Sequence, residues 1–168
     1  MRIWKGFKRE ICMTDWRICT LLAVSVWIVG CASFLLSGAS VGYHTLCKPS
    51  LAPRTIPWML LWMGYYLLLG IALGLVIGRC SCCSKSLFRK GFIYWCLFLI
   101  CSLLWTILFF SAGFQITAFI LIVLSICFGC CTIIPFATES LLSACLLIIC
   151  IWWQLYNFLL TLLLIFWN

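Results

Sequence analysis

Side chains capable of acid–base chemistry are scarce in this sequence of 168 residues. It contains three acidic residues, Glu10, Asp15 and Glu139, and one histidine, His44. None of them lies within the long apolar runs, and neither does any Lys or Arg. This distribution disfavours a proton relay, an aspartate pair, a zinc-protease motif or a Ser–His pair within the membrane. We therefore expect no enzymatic activity, no cofactor and no metal site.

Cysteines are the most abundant reactive residues, with fourteen in the chain. Most lie in apolar runs, where cysteine usually behaves as a small hydrophobic residue. Cys80, Cys82 and Cys83 instead follow the second apolar run, beside basic residues, and this is a setting for S-palmitoylation. A metal site would need a second ligand cluster, and His44 lies on the opposite side of the membrane. Acylation and the absence of any role remain the main interpretations of these three cysteines.

Polar residues within the apolar runs are a second candidate set. Ser102 and Thr106 lie one helical turn apart in the third run, and Gln154, Asn157 and Thr161 share a helix face in the fifth. In hydrocarbon, such groups must find partners or line a cavity. Hydrogen bonds between helices are the simpler interpretation, and a ligand cavity is the alternative.

The elements that position these residues are predicted to be transmembrane helices. The chain is 67% hydrophobic and 8% charged, with a mean hydropathy of +1.26, which a soluble domain of this length could not bury. Continuous apolar runs predict helices rather than a β-barrel. We predict an all-α membrane protein, a five-transmembrane-helix bundle, with four helices as the alternative count. Ser140 is the expected N-cap of the last helix, and the single domain (18–168) has helices at about 18–38, 58–78, 91–111, 115–136 and 141–167.

The net charge of +8 is concentrated in the segments between the apolar runs and before the first one. Most basic residues lie in segments 1–17 and 79–90, which predicts that both face the cytoplasm-equivalent side and that Asn168 faces the opposite side. The basic clusters are not interspersed with aromatic residues, as they would be in a site that binds nucleic-acid bases. Segment 1–17 is interpreted as a basic interfacial helix, as the flank of a signal anchor or as part of a cleaved signal peptide.

Three glycines recur every four residues in the second run, at Gly70, Gly74 and Gly78. Small residues at this spacing form a groove that lets two helices approach closely in a membrane. The helix in this groove belongs either to the same chain or to a second copy in a homodimer. In the third run, Trp95 lies near the start and is expected at the membrane interface.

The loop between the first two runs carries the most specific pattern, which continues into the second run. The residues of the pattern are Tyr43, Leu46, Lys48, Pro49, Ser50, Pro53, Trp62, Tyr66 and Gly70. The pattern resembles that of the translocator protein family, also called tryptophan-rich sensory proteins or peripheral benzodiazepine receptors. The resemblance covers about residues 18–168 and is most specific over 43–70.

The chain departs from the family pattern in its third, fourth and fifth runs. Ser102-Leu103 stand where the family has Asn-Trp, and Thr106-Ile107 stand where it has Pro-Pro. No Lys or Arg follows Tyr156, so the proposed cholesterol motif is incomplete. Thr117 stands where the family has a Trp, and Leu121 stands where it has an acidic residue. Asn157 stands where the family has an Ala.

Members of this family are five-helix bundles that bind tetrapyrroles, sterols and aromatic drugs between the helices, under the first loop. The resemblance implies a membrane receptor or carrier for a hydrophobic planar ligand, in the mitochondrial outer membrane, with membrane lipid as its surroundings. A structural or assembly protein with a closed pocket is the alternative, and a small channel is weaker because no span has a clear polar stripe. The implied ligand residues are Tyr43, Trp62, Tyr66, Trp105, Trp153 and Asn157, under a lid of Lys48, Pro49, Ser50 and Pro53.

Overall fold

All regular structure in the described part of the chain is helical. The computed structural model describes Cys12 and residues 14–46, 52–79 and 85–167. Five of the helices are long and apolar enough to cross a membrane, as predicted, and a sixth is short. The helices are α1 (Trp16–Leu36), α2 (Ala39–Thr45), α3 (Thr55–Ile77), α4 (Lys85–Phe110), α5 (Gln115–Glu139) and α6 (Leu141–Trp167).

The short helix α2 was not predicted from the sequence. It has seven residues and begins after Gly38, whose positive φ of 62° provides the turn out of α1. No side chain caps its N-terminus. A helix of this length is too short for a periodic pattern, and its contacts with α1, α3 and α4 hold it in place.

Three helices begin earlier than the sequence pattern indicates, among them α3, which begins at Thr55 and not at about 58. α1 begins at Trp16 because Asp15 acts as its N-cap, accepting a hydrogen bond from the Arg17 backbone N–H at 3.0 Å. α4 begins at Lys85, so the basic residues Arg89 and Lys90 lie in its first turns and not in a loop. Residues 1–11, on which the three interpretations of the N-terminal segment depend, lie outside the described residues.

The five long helices form a closed ring. Neighbours around the ring are α1, α3, α6, α5 and α4, and α4 returns to α1. The spans α3 and α6 therefore contact each other although they are far apart in sequence. Of the five, α3 is the most deeply buried, and it carries four of the buried aromatic side chains, as many as α4.

The glycine groove of α3 receives α1 of the same chain. A Cβ placed at Gly70 would lie 2.7 Å from Ala23 Cα, and one at Gly74 would lie 2.6 Å from Cys19 Cα. Because these two residues are glycines without side chains, the backbones of α3 and α1 come into direct contact. The third glycine, Gly78, directly follows the last residue of α3. A Cβ placed at Gly78 would lie close to the backbone oxygens of Gly74 and Asp15. Since α1 occupies this face, a second copy of the chain would have to dock elsewhere.

The break between the last two spans is a capped turn. Ser140 has extended backbone angles, and its hydroxyl oxygen accepts a hydrogen bond from the Ser143 backbone N–H at 3.2 Å. This confirms Ser140 as the N-cap of α6. The tight turn makes α5 and α6 antiparallel neighbours, so both are counted as spans.

The five-span topology predicts which loops lie on the same side of the membrane. The four loop cysteines that report on it, Cys47, Cys80, Cys82 and Cys83, lie outside the described residues. In sealed vesicles of known orientation, a membrane-impermeant maleimide should label Cys80, Cys82 or Cys83 from the N-terminal side. Variants that keep only Cys47 should react from the other side. Labelling of Cys47 and Cys82 from the same side would contradict the topology.

Candidate functional site

Six aromatic residues from four helices form a continuous set of ring contacts, which we call the aromatic cluster. Trp62 is its centre: its ring stacks on Trp105 (5.2 Å between centroids, 15° between planes) and contacts Tyr66 at 5.7 Å and Trp153 at 6.0 Å. Offset and edge-to-face pairs at such distances are favourable. The members of the cluster are Tyr43, Trp58, Trp62, Tyr66, Trp105 and Trp153.

Tyr43 joins the cluster through Trp58. Their rings are parallel within 3° and 4.1 Å apart, and Trp58 in turn contacts Trp62 edge-on at 6.2 Å. Tyr43 also donates a hydrogen bond from its hydroxyl to the Pro53 carbonyl oxygen at 2.8 Å. Burial raises the pKa of the Tyr43 phenol, with a smaller contribution from Tyr156, so the group remains a neutral donor.

Of the four implied lid residues, Pro53 is the one that the structure describes. Pro53 is held against α2 by Tyr43, as described, and this contact joins the segment before α3 to the aromatic cluster. The other three lid residues, Lys48, Pro49 and Ser50, lie outside the described residues. The cysteines proposed for acylation, Cys80, Cys82 and Cys83, also lie outside them.

The structure thus brings together five of the six implied ligand residues. Asn157, the sixth, is fully buried one turn after Trp153 on α6. Its Nδ2 donates to the Trp153 carbonyl oxygen at 2.7 Å, which identifies the other amide atom as the oxygen Oδ1. Asn157 is therefore tied to the backbone that carries Trp153.

The site contains polar atoms without partners. The indole nitrogens of Trp58, Trp62, Trp105 and Trp153 and the Asn157 Oδ1 are buried without a hydrogen-bond partner among the described residues. An unsatisfied buried donor or acceptor costs about 1–3 kcal/mol and is uncommon in native proteins. Water or a ligand would relieve this cost by bonding to these atoms.

A hydrogen-bond network, which we call the polar layer, lies about one helical turn from Trp62 on α3 and from Trp105 on α4. Gln154 Nε2 lies 2.9 Å from Tyr65 OH, 2.6 Å from Ser102 Oγ and 3.1 Å from Ser125 Oγ. An amide nitrogen carries two hydrogens, so it donates to two of these three oxygens at a time. The layer joins α3, α4, α5 and α6, which confirms interhelical bonding for Ser102 and Gln154.

We expect Gln154→Leu to lower the free energy of unfolding by about 1 kcal/mol, since interhelical hydrogen bonds in membranes contribute about 0.6–1.7 kcal/mol. The loss stays moderate because Ser102 still bonds to Tyr65 at 2.8 Å and to Ser125 at 3.1 Å. The measurement is a denaturant titration in micelles. Thr161→Val is the matched control, because Thr161 is buried with its hydroxyl unpartnered in the described structure. Equal losses in both variants would contradict a structural role for the polar layer.

Two tryptophans differ from the sequence interpretation. The expectation that Trp95 lies at the membrane interface was wrong: it is 3% exposed, and its indole N–H donates to the Leu69 carbonyl oxygen at 3.3 Å. Trp58 was not singled out, although it is fully buried and links Tyr43 to Trp62. Its position one turn before Trp62, on the same face of α3, was the available signal.

The cysteines of the spans are free thiols in the described structure. Cys150 is buried, and its Sγ lies 4.0 Å from the Tyr65 carbonyl oxygen as a weak donor. Cys127 and Cys130, which have CxxC spacing, are both exposed on α5 toward the membrane-facing side. Nothing in this arrangement points to redox chemistry at the aromatic cluster.

Comparison with known proteins supports the family resemblance. A model of the TspO/MBR family matches residues 18–167, nearly the whole chain. A search of curated proteins gives no match. The family match covers all five spans and confirms the resemblance drawn from the first loop and the second span. The chain belongs to the TspO/MBR family.

Proposed function

We propose that the chain is a membrane receptor or carrier that binds a hydrophobic planar ligand, of tetrapyrrole or sterol type, at the aromatic cluster. The observation that supports this proposal is the environment of Trp62, whose ring meets aromatic rings from α4 and α6 as well as from its own helix. Flat apolar walls with a few polar groups are typical of small-molecule sites. Family membership makes a membrane ligand a reasonable expectation.

The polar atoms of the cluster favour one ligand chemistry within this class. Trp58, Trp62 and Trp105 each offer a buried indole N–H that has no acceptor in the described structure. Indole is only a donor, so a ligand that satisfies these groups must carry acceptors such as carbonyl or carboxylate oxygens. A tetrapyrrole with carboxylates supplies several acceptors, whereas a sterol supplies one hydroxyl. We therefore place tetrapyrroles first and sterols second.

A structural or assembly role is the second candidate, and the packing of the cluster favours it. Tyr43, Trp58, Trp62, Tyr66 and Trp105 are each at most 3% exposed, so the rings fill the space that a ligand would occupy. Binding would therefore require side chains to move apart. A protein that uses the bundle only as a scaffold would keep the cluster closed.

Titration of the protein in nanodiscs with protoporphyrin and, separately, with cholesterol distinguishes the two candidates. The receptor proposal expects saturable binding of protoporphyrin with a stoichiometry near one per chain. Binding that never saturates, and that matches empty nanodiscs, would leave the structural role. The mass of the particle in the same preparation distinguishes a monomer from a homodimer.

We further propose that the protein is not an enzyme and that it resides in the mitochondrial outer membrane. The acidic groups of the described residues lie at helix ends: Asp15 caps α1 and Glu139 ends α5. Neither lies at the aromatic cluster, so no carboxylate there supports acid–base catalysis. Fractionation of cells with an outer-membrane marker tests the location, which rests on family resemblance.

A further inference from the structure

A groove opens between α3 and α6 on the outer surface of the bundle. Its volume is about 390 Å³, within the range of about 300–1,000 Å³ that is usual for small-molecule pockets. Two of its lining residues are among the more exposed of the chain, Leu60 at 62% and Trp152 at 70%. Because both helices span the membrane, this groove faces the lipid. It is lined by Leu60, Gly64, Tyr65, Trp152, Trp153 and Tyr156, among others.

Gly64 gives the groove its depth. A Cβ built at this glycine would meet nothing within 4 Å, in contrast to Gly70 and Gly74, which touch α1. The missing side chain therefore creates a slot and not a helix contact. On the α6 side of the groove, the rings of Trp153 and Tyr156 stack at 5.3 Å with 25° between their planes. The groove thus pairs an open slot on α3 with an aromatic wall on α6.

Of the six members of the aromatic cluster, Trp153 alone lines the groove. Its ring meets Trp62 edge-on at 6.0 Å on one side and lines the groove on the other. Trp62 and Trp105 do not line the groove. A molecule in the groove would therefore touch the aromatic cluster only at Trp153 and would not need the rings of the cluster to separate.

We propose that this groove is a second binding site, open to the bilayer, for a planar aromatic molecule dissolved in the lipid. A rigid ring system loses little conformational entropy in a narrow slot, and it gains stacking with Trp153 and Tyr156. A lipid acyl chain gains no such stacking and must be ordered on binding. The aromatic wall therefore favours a flat ring over the lipid chains that compete for the slot.

Pyrene is a suitable probe, because tryptophan emission overlaps its absorption and reports proximity. In nanodiscs containing wild-type protein, pyrene should quench tryptophan emission saturably. Gly64→Phe should raise the Kd at least about tenfold, because the new ring occupies the slot. Gly64→Ala should raise it only about twofold, since one methyl group fills little of the volume. The open space around Gly64 means that both variants should fold.

Ile120→Phe is the matched control, because Ile120 is 52% exposed on α5, away from the groove. It should leave the pyrene Kd unchanged. Equal affinity of wild type and Gly64→Phe would overturn the proposal. Quenching that rises linearly with pyrene and never saturates would also overturn it, and would indicate that acyl chains fill the groove. Protoporphyrin binding at the aromatic cluster is measured separately, so failure of either site is distinguishable from failure of the other.

Discussion

Replacing Trp62 with alanine should weaken protoporphyrin binding at least about tenfold. Trp62 is 1% exposed and contacts rings on α4 and α6, so a ligand between these helices would lie against it. Truncation of a buried aromatic anchor typically costs about 2 kcal/mol or more, and 1.4 kcal/mol corresponds to a factor of ten. The measurement is porphyrin fluorescence in a nanodisc titration, with circular dichroism to check the fold.

Truncation of so central a ring also removes packing, and Trp→Ala changes in cores cost about 3–5 kcal/mol of stability. Trp62→Phe keeps a ring and removes the indole N–H, which has no partner among the described residues, so it tests binding in a better-packed variant. It should weaken binding about threefold to tenfold, because one hydrogen bond is lost. Trp27→Ala is the control: Trp27 is 37% exposed on α1 and belongs to no ring pair among the described residues. Unchanged binding by folded Trp62→Ala would place any ligand outside the aromatic cluster.

The spans were predictable because a membrane imposes simple rules on length and charge. Each must contain about 20 apolar residues, and charges gather between them, so the run around Trp62 and the run ending in Trp167 were both recognisable. The Ser140 cap was predictable for a different reason: its hydroxyl satisfies a backbone N–H that the start of a helix leaves free. Both inferences use local chemistry alone.

Which face of each span points inward was much harder to predict. In water the buried face is the apolar one, but lipid is as apolar as a protein core, so hydrophobicity does not mark the interior. Trp152 and Trp153 are adjacent, yet only Trp152 is strongly exposed, at 70%. Trp95 was assigned to the interface from its position near the start of the third run, and it is buried. Polar residues were better guides, because Ser102 and Gln154 had to find partners inside the bundle.

The candidate site was predictable only where a family pattern covered it. Tyr43, Trp62 and Tyr66 belong to the pattern, and the structure places all three in the aromatic cluster. Trp58 lies outside the pattern, so its role as the link between Tyr43 and Trp62 is visible only in the fold. Asn157 stands where the family has a small residue, and the sequence marked it as a polar group that needs a partner; that its buried Oδ1 has none among the described residues is visible only in the fold.

The second large effect is expected at Gly74. In Gly74→Leu, the new Cβ would lie 2.6 Å from Cys19 Cα and 3.0 Å from the Cys19 carbonyl oxygen. Both are backbone atoms of α1, so no side-chain rotation relieves the clash and the two helices must separate. Overpacking a core typically costs about 1–3 kcal/mol, and a contact between backbones belongs at the upper end.

Gly64→Leu is the matched control for this prediction, because it makes the same change on the same helix where a Cβ meets nothing within 4 Å. Denaturant unfolding in micelles should show a clear loss for Gly74→Leu and little for Gly64→Leu. The oligomeric state should be the same in both variants, since α1 of the same chain occupies the face that Gly74 presents. If Gly74→Leu instead dissociated a dimer while the monomer kept its stability, the groove would belong to an interface between copies. Equal stability of the two leucine variants would mean that α1 does not pack against Gly74 in the membrane.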